Sequence, residues 1–112
     1  MAFGQQTALR TQETEIFVTG TGWTVLEGST ALSNRFATKI FSVGSAGATI
    51  LGLKYMDTDG TAPAGPVKTS THWLGAGQFV VEPNSTGLKL YGRAKLASGV
   101  NTIRVKVTEY GH

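Results

Sequence analysis

The last third of the chain alternates apolar or small residues with polar ones, and this two-residue period constrains the fold more than any other feature. One alternating run lies between residues 88 and 96, and a second extends from Thr102 to Tyr110. Successive side chains of a β-strand point to opposite faces, so such alternation predicts strands with one buried side. We interpret the two runs as the strands of a β-hairpin from Leu88 to Tyr110.

A two-residue turn at Ser98-Gly99 would determine the register of this hairpin. It places the apolar positions opposite one another on the inward side and sets Arg93 opposite Arg104 on the outward side. Like charges directly opposite each other destabilise a strand pair by about 0.2 to 1 kcal/mol. An acidic neighbour is therefore expected, either a glutamate of an adjoining strand or the surface of a partner. The predicted partner-binding residues are Lys89, Tyr91, Arg93, Lys95, Arg104, Lys106 and Tyr110.

The rest of the chain is also typical of a small all-β protein. Six further strand-like runs precede the hairpin and are separated by glycine-rich or Pro-Asn turns. Seven or eight short strands at roughly ten-residue spacing predict a small antiparallel β-sandwich or barrel. The predicted strands are Thr14–Thr19, Trp23–Glu27, Phe36–Val43, Ala48–Met56, Val67–Leu74, Gln78–Glu82, Leu88–Leu96 and Val100–Tyr110.

The length and the N-terminal segment predict one domain preceded by an arm. A chain of 112 residues is the size of one ordinary domain. Residues 1–13 show no helical or strand periodicity, so we expect an extended arm there and a single β-sandwich domain at residues 14–112. The arm has no basic cluster followed by an apolar run, and the longest mainly apolar stretch, Ala46–Leu53, is far shorter than a membrane span. We expect neither a secretory signal nor membrane insertion.

Residues suited to catalysis or metal binding are sparse. Cysteine is absent and His72 is the only internal histidine, so neither a thiolate site nor a multi-histidine site is expected. Asp57 and Asp59 begin like a calcium loop, but position twelve of that loop is Lys68 instead of a bidentate glutamate. A Ser-His-Asp set that uses His72 is compatible with the spacing, yet no nucleophile elbow accompanies it. We expect no enzyme, no metal and no cofactor, and interpret His72 as a strand residue.

The basic residues are concentrated in the predicted hairpin. Five of the ten Lys and Arg residues, but only one of the seven acidic residues, lie after residue 82. Basic residues interleaved with tyrosines on a sheet suit single-stranded nucleic acid, although the aromatic signature of RNA-recognition sheets is absent. Two or more aromatic side chains on one exposed face would instead suit a carbohydrate. Both alternatives stay open beside a protein partner.

Several features of the whole sequence, taken together, are typical of one class of small all-β proteins. It lacks cysteine, has a polar segment from Met1 to Glu13 and Gly/Thr/Ala-rich turns, and ends with the alternating strand Thr102–Tyr110. In these respects it resembles the small all-β cement or decoration proteins of tailed bacteriophage capsids. The resemblance implies a jelly-roll-like sandwich that clamps neighbouring major capsid subunits. Phe3, Leu9 and Arg10 would anchor the arm, and the hairpin cations would contact an acidic patch of the major capsid protein.

The same resemblance implies where the protein acts and in what state. It implies a homo-oligomer, dimer or trimer, on the capsid surface of a virion, made in the host cytoplasm. Two other functions remain as alternatives: a carbohydrate- or receptor-binding module of a phage tail or secreted complex, and a single-stranded nucleic-acid-binding β-barrel.

Overall fold

The chain folds into a β-sandwich of two open antiparallel sheets. The computed structural model describes residues 9–44, 50–57, 59–95 and 102–112, and within these residues there is no α-helix. The predicted all-β class is confirmed, as a sandwich and not as a closed barrel. The strands are β1 (Arg10–Thr19), β2 (Thr24–Val25), β3 (Arg35–Gly44), β4 (Ile50–Tyr55), β5 (His72–Gly75), β6 (Phe79–Pro83), β7 (Leu90–Lys95) and β8 (Thr102–Gly111), and a 3₁₀ turn spans Val67–Thr69.

The strands pair as a nested series. β1 pairs with β8, β2 with β7, β3 with β6 and β4 with β5, all antiparallel. Further pairing of β3 with β8 and of β4 with β7 produces two four-stranded sheets, β1-β8-β3-β6 and β2-β7-β4-β5. This order is the eight-strand, two-sheet arrangement of a jelly roll.

The predicted hairpin is wrong, although both of its strands exist. β7 and β8 lie in different sheets. Arg93 of β7 is opposite Gly52 of β4, and Arg104 of β8 is opposite Phe17 of β1, so the two arginines do not face each other. The proposed turn at Ser98-Gly99 lies outside the described residues. Alternation shows which side of a strand is buried, but it does not specify the neighbouring strand. Any strand whose apolar side faces the same core is compatible with the pattern.

The core lies between the sheets and consists of the apolar positions of the alternating pattern. Inward-facing Gly92 of β7 lets Leu26 and Leu51 pack close to the strand, because a Cβ there would lie 3.1 Å from side-chain carbons of both. The buried hydrophobic residues are Val18, Leu26, Ile40, Leu51, Leu53, Leu74, Leu90, Ala94, Ile103, Val105 and Val107.

The N-terminal boundary of the sandwich differs from the prediction. β1 begins at Arg10 rather than at Thr14, so the last four residues of the predicted arm pair with β8. Apolar alternation did not reveal this part of β1 because its inward side chain at Gln12 is polar and bonds to the buried carboxylate of Glu109. Residues 1–8, including the predicted anchor Phe3, lie outside the described part of the chain.

A buried carboxylate at the end of β8 joins several segments. Glu109 has no solvent exposure. It accepts hydrogen bonds from the backbone N–H groups of Gly28 and Leu32, each at 3.1 Å, from the Arg35 guanidinium at 2.8 Å and from the Gln12 amide at 2.7 Å. Burial raises the pKa of Glu109, but these hydrogen bonds outweigh it, so the pKa is lowered from its ordinary value of 4.5.

Arg35 extends this arrangement to two loops. Its buried side chain also pairs with Glu27 at 3.2 Å and donates to the carbonyl oxygens of Ser85 at 2.8 Å and Leu88 at 3.4 Å. We call Gln12, Glu27, Arg35 and Glu109 the Glu109 network. It ties the segment after β2 and the segment before β7 to β1, β3 and β8.

Replacing Glu109→Gln should destabilise the fold by about 3 kcal/mol at neutral pH, because the buried Arg35 loses the nearer of its two carboxylate partners and keeps only Glu27. Because the folded pKa of Glu109 lies below 4.5, its carboxylate contributes full stability above that pH and loses it as the pH falls through the folded pKa. The stability difference between wild type and variant should therefore narrow in acid. Urea unfolding followed by tryptophan fluorescence at several pH values measures it.

The matched control is Glu13→Gln, a change of the same type at an exposed position of β1. It should alter stability by no more than about 0.5 kcal/mol. Equal effects of the two changes would contradict a stabilising role for the Glu109 network.

Candidate interaction surface

The outward side of the β1-β8-β3-β6 sheet carries an exposed set of aromatic and apolar side chains, which we call the aromatic face. Phe17 and Phe79 are each 57% exposed, and Val81 is 50% exposed. They point outward because the alternate residues Ile16, Val18 and Val80 pack on the core. The aromatic face comprises Glu13, Glu15, Phe17, Lys39, Phe41, Phe79, Val81, Arg104, Lys106 and Tyr110.

Charged side chains lie between the rings of the aromatic face. Arg104 Nε is 3.5 Å from Glu15 Oε1, and both side chains are about half exposed. The acidic neighbour expected beside Arg104 is therefore a glutamate of an adjoining strand. Lys39 Nζ lies 4.6 Å from the ring centroid of Phe79, a cation–π distance. Exposed ion pairs of this kind contribute little to stability, so these charges remain able to pair with another molecule.

The outward side of the other sheet is partly covered by the chain itself. The connection from β4 to β5, which we call the crossover loop, is described at residues 56, 57 and 59–71, and its 3₁₀ turn packs on β4 and β7. Arg93 donates to the carbonyl oxygens of Gly20 at 3.1 Å and Gly65 at 3.0 Å. The indole N–H of Trp23 donates to the same Gly65 oxygen at 3.0 Å. The crossover loop is thus anchored at Gly65 to the sheet below it.

Lys54 of β4 anchors the same loop at a second place. Its Nζ donates to the carbonyl oxygen of Ala64 at 3.2 Å and to the Thr69 hydroxyl at 3.3 Å. It also lies 5.9 Å from the ring centroid of Trp23. Pro63 of the loop is buried. Trp23, Arg93 and Lys54 are therefore engaged in contacts within the molecule.

The residues of the predicted partner-binding face are divided between the two sheets. Tyr91, Arg93 and Lys95 lie on the outward side of β7, and Lys89 precedes β7 and pairs with Glu27 at 2.7 Å. Arg104, Lys106 and Tyr110 lie on the aromatic face. The outer sides of a two-layer sandwich point in opposite directions, so a single contact surface cannot use both sets.

Of the predicted arm anchors, two are within the described residues. Leu9 is 61% exposed. Arg10 is held at the sandwich, where it donates to the carbonyl oxygens of His112 at 2.9 Å and Ser33 at 2.8 Å.

The exposure of Phe17 and Phe79 does not follow from the sequence pattern. Phe17 lies between Ile16 and Val18, and Phe79 begins the apolar run that continues to Val81. In a run of consecutive apolar residues, the two-residue period has no polar positions to show which side faces outward. Only the pairing partners decide it.

His72 contacts an acidic residue at the rim where β5 and β6 lie in different sheets. Its Nε2 is 2.9 Å from Glu82 Oε1, and the Tyr55 hydroxyl donates to Glu82 Oε2 at 3.0 Å. Burial, followed by the hydrogen bond to Glu82 and its charge, raises the pKa of Tyr55 to about 12. Tyr55 is therefore a protonated donor at physiological pH, and the contact links the two sheets. His72 lies in β5, so its interpretation as a strand residue is confirmed.

Other chemical sites are not evident in the described part of the chain. Within it there is no pocket, and no group of three or more His, Cys, Asp or Glu side chains is placed to hold a metal ion. Asp59 accepts hydrogen bonds from the Thr61 hydroxyl at 2.6 Å and the Thr61 N–H at 3.1 Å, which lower its pKa. No helix among these residues is both long and apolar enough to cross a membrane.

Comparisons with known proteins find no matching family model, no matching curated protein and no matching solved structure. The function of the chain therefore has to be inferred from its own surfaces.

Replacing Arg93→Ala should loosen the crossover loop, because the Gly65 carbonyl oxygen of that loop loses a charged donor. Amide hydrogen exchange of the loop should accelerate by about tenfold, the equivalent of 1.4 kcal/mol, which is within the range for hydrogen bonds from charged groups. Lys95→Ala, which also removes a cation from the outward side of β7, is the control. A loop protected equally in both variants would contradict the anchoring role of Arg93.

Proposed function

We propose that this chain is a structural binding protein that attaches through its aromatic face to the protein surface of a larger assembly. The observation that carries the proposal is the exposure of Phe17, Phe79 and Val81 on one open sheet face. Burial of apolar surface contributes roughly 25 cal/mol per Å², and exposed apolar patches rimmed by polar groups mark interaction sites. The opposite outer side already contacts the crossover loop.

The composition of the aromatic face favours a protein surface over a nucleic acid. Single-stranded nucleic acid binds along a positively charged groove with stacking platforms. Here the cations Arg104 and Lys106 are adjacent to Glu15 and Glu13 on the neighbouring strand, which reduces the positive potential. A mixture of rings, cations and a few acids is instead typical of protein–protein interfaces, where aromatic residues and arginine are enriched.

The same comparison argues against a carbohydrate as the main partner. Tryptophan and tyrosine suit the polar faces and edges of sugars because each has a hydrogen-bonding tip. Trp23 uses its indole N–H to hold Gly65, and Trp73 lies on the other sheet. The most exposed rings of the aromatic face belong to phenylalanine, which has no such tip.

We further propose that the assembly is a bacteriophage capsid and that the chain is its cement or decoration protein. The jelly-roll strand order is an architecture that viral capsid domains use, and the sequence resembles that class of protein. A cement protein binds assembled subunits and not dissociated ones, so it stabilises the shell by mass action. In this role Arg104, Lys106 and Tyr110 form the polar part of the contact with an acidic patch of the major capsid protein.

Purification of the native protein from its source tests the proposal. On a density gradient after nuclease treatment, we expect the protein to travel with a large protein shell that contains one repeated major subunit. Release from the particle by nuclease would indicate a nucleic-acid partner and contradict the proposal. Migration as a free small protein, or retention on a glycan matrix alone, would also contradict it.

The aromatic face itself is tested by comparing two exposed aromatic residues on opposite sheets. Phe17→Ser should weaken binding to the isolated shell by at least about tenfold, since an exposed aromatic ring that becomes buried at an interface is worth about 1.4 kcal/mol or more. Trp73→Ser removes a similar exposed ring from the other sheet and should bind like wild type. Binding is measured as occupancy of purified shells, with thermal unfolding to confirm that both variants fold. A larger loss of binding with Trp73→Ser than with Phe17→Ser would show that the contact lies on the other sheet.

A further inference from the structure

β6 is an edge strand, and its hydrogen bonds show which of its backbone groups are unpaired. Among the described strands it pairs only with β3. The N–H of Asn84 donates to the Phe36 carbonyl at 3.0 Å, and the N–H of Ser42 donates to the Gln78 carbonyl at 2.9 Å. Hydrogen-bonded pairs recur at every second residue of an antiparallel ladder. The even-numbered residues of β6 therefore bond to β3, and the odd-numbered residues direct their N–H and C=O groups away from it.

The backbone groups at the open edge belong to Phe79 and Val81, whose side chains are also exposed on the aromatic face. The strand ends at Pro83, which has no N–H. The open edge thus presents two N–H donors and two carbonyl acceptors beside an apolar surface. Such an edge is a template for pairing with another strand.

We propose that β6 pairs antiparallel with β6 of a second copy of this chain around a two-fold axis. In the register we infer, Phe79 of each copy lies opposite Val81 of the other, and the two Val80 residues face each other. Each Phe79–Val81 pair exchanges two backbone hydrogen bonds, so four join the copies.

The neighbouring registers are less favourable. If the second copy is shifted by two residues toward the C-terminal end of β6, Phe79 of one copy lies opposite Pro83 of the other, which has no N–H to donate. A shift toward its beginning places Val81 opposite Gly77, whose φ of 81° is not extended. Only the inferred register pairs every edge-facing N–H and C=O group of Phe79 and Val81 with a partner group in extended backbone.

In this register the side chains of the two β6 strands form apolar pairs on both sides of the sheet. On the outward side, Phe79 contacts Val81 across the axis, and aromatic–β-branched pairs of this kind stabilise sheets. On the inward side, Val80 packs against the core of its own copy and meets the second Val80, so the two cores adjoin. No charged side chain of β6 lies on its outward side. The nearest cation there, Lys39, is one strand away from the edge.

The size of the contact determines the expected strength. Two apolar pairs and four hydrogen bonds are less than a standard interface, which buries about 800 Å² per partner. We therefore expect a dimer that dissociates on dilution. A dimer of this form extends the sheet to eight strands and places two aromatic faces side by side. This inference does not depend on what the aromatic face binds.

Sedimentation equilibrium of the purified chain over about 1 µM to about 1 mM, the range in which small interfaces dissociate, tests the proposal. The mass should rise with concentration from 11.8 kDa to twice that value. A chain that stays monomeric over the whole range, or that forms a trimer, would overturn the proposal.

Val81→Glu is the variant that tests the edge. A glutamate there lies opposite Lys39 within the same copy, which favours the folded monomer, but it would be placed against Phe79 of the second copy. The dimer dissociation constant should rise by at least about tenfold. The control is Thr108→Glu, which introduces the same charge opposite the same Lys39, but on β8, away from the edge. Equal weakening by both changes would place the interface on the sheet face instead.

Cysteine cross-linking tests the register independently. The chain contains no cysteine, so Val80→Cys creates a single thiol that meets its own counterpart at the axis. Facing residues of a non-hydrogen-bonded pair have Cα atoms about 4.5 Å apart, within the range of a disulfide. Mild oxidation should yield a covalent dimer quickly, whereas Thr14→Cys on the opposite edge strand β1 should not. Equal rates for the two variants would refute the register.

Discussion

Glu109 places the strongest physical demand on this sandwich, because it is a charged group without solvent exposure. A buried carboxylate is tolerated only when donors replace the water that it loses. Here the donors come from β1, from the segment after β2 and from Arg35 at the start of β3. Arg35 in turn donates to the carbonyls of Ser85 and Leu88. The end of β8 is therefore stable only when four separate segments are in place, which couples their folding.

The two outer surfaces of the sandwich differ because of how the chain crosses between strands. The crossover loop lies on the β2-β7-β4-β5 sheet, where Arg93 and Lys54 donate to its carbonyl oxygens. Those cations stabilise the molecule internally. On the β1-β8-β3-β6 sheet, the cations Arg104 and Lys106 lie among exposed rings instead. The path of one loop thus engages Arg93 and Lys54, whereas Arg104 and Lys106 stay available to a partner.

A jelly roll does not by itself imply a function, since many unrelated activities use the same architecture. The proposed attachment depends on particular side chains, above all Phe17 and Phe79. The proposed pairing of β6 strands would place two aromatic faces in one extended sheet. Two weak contacts that are linked in this way bind a repeated surface more tightly than either alone, because the second contact becomes intramolecular. A repeated protein shell is the kind of partner that such an arrangement suits.

The sequence by itself determined the all-β class and the existence of all eight strands, because the two-residue period and the turn residues are local properties of the backbone. It did not determine which strands pair. Alternation separates inside from outside, and β8 meets this requirement beside β1 and β3 as well as it would beside β7. For the same reason Phe17 and Phe79, within apolar runs, had no predictable side. Their exposure, and the separation of Arg93 from Arg104 onto opposite sheets, was decided only by the tertiary structure, because only long-range pairing selects which side of each strand meets the common core.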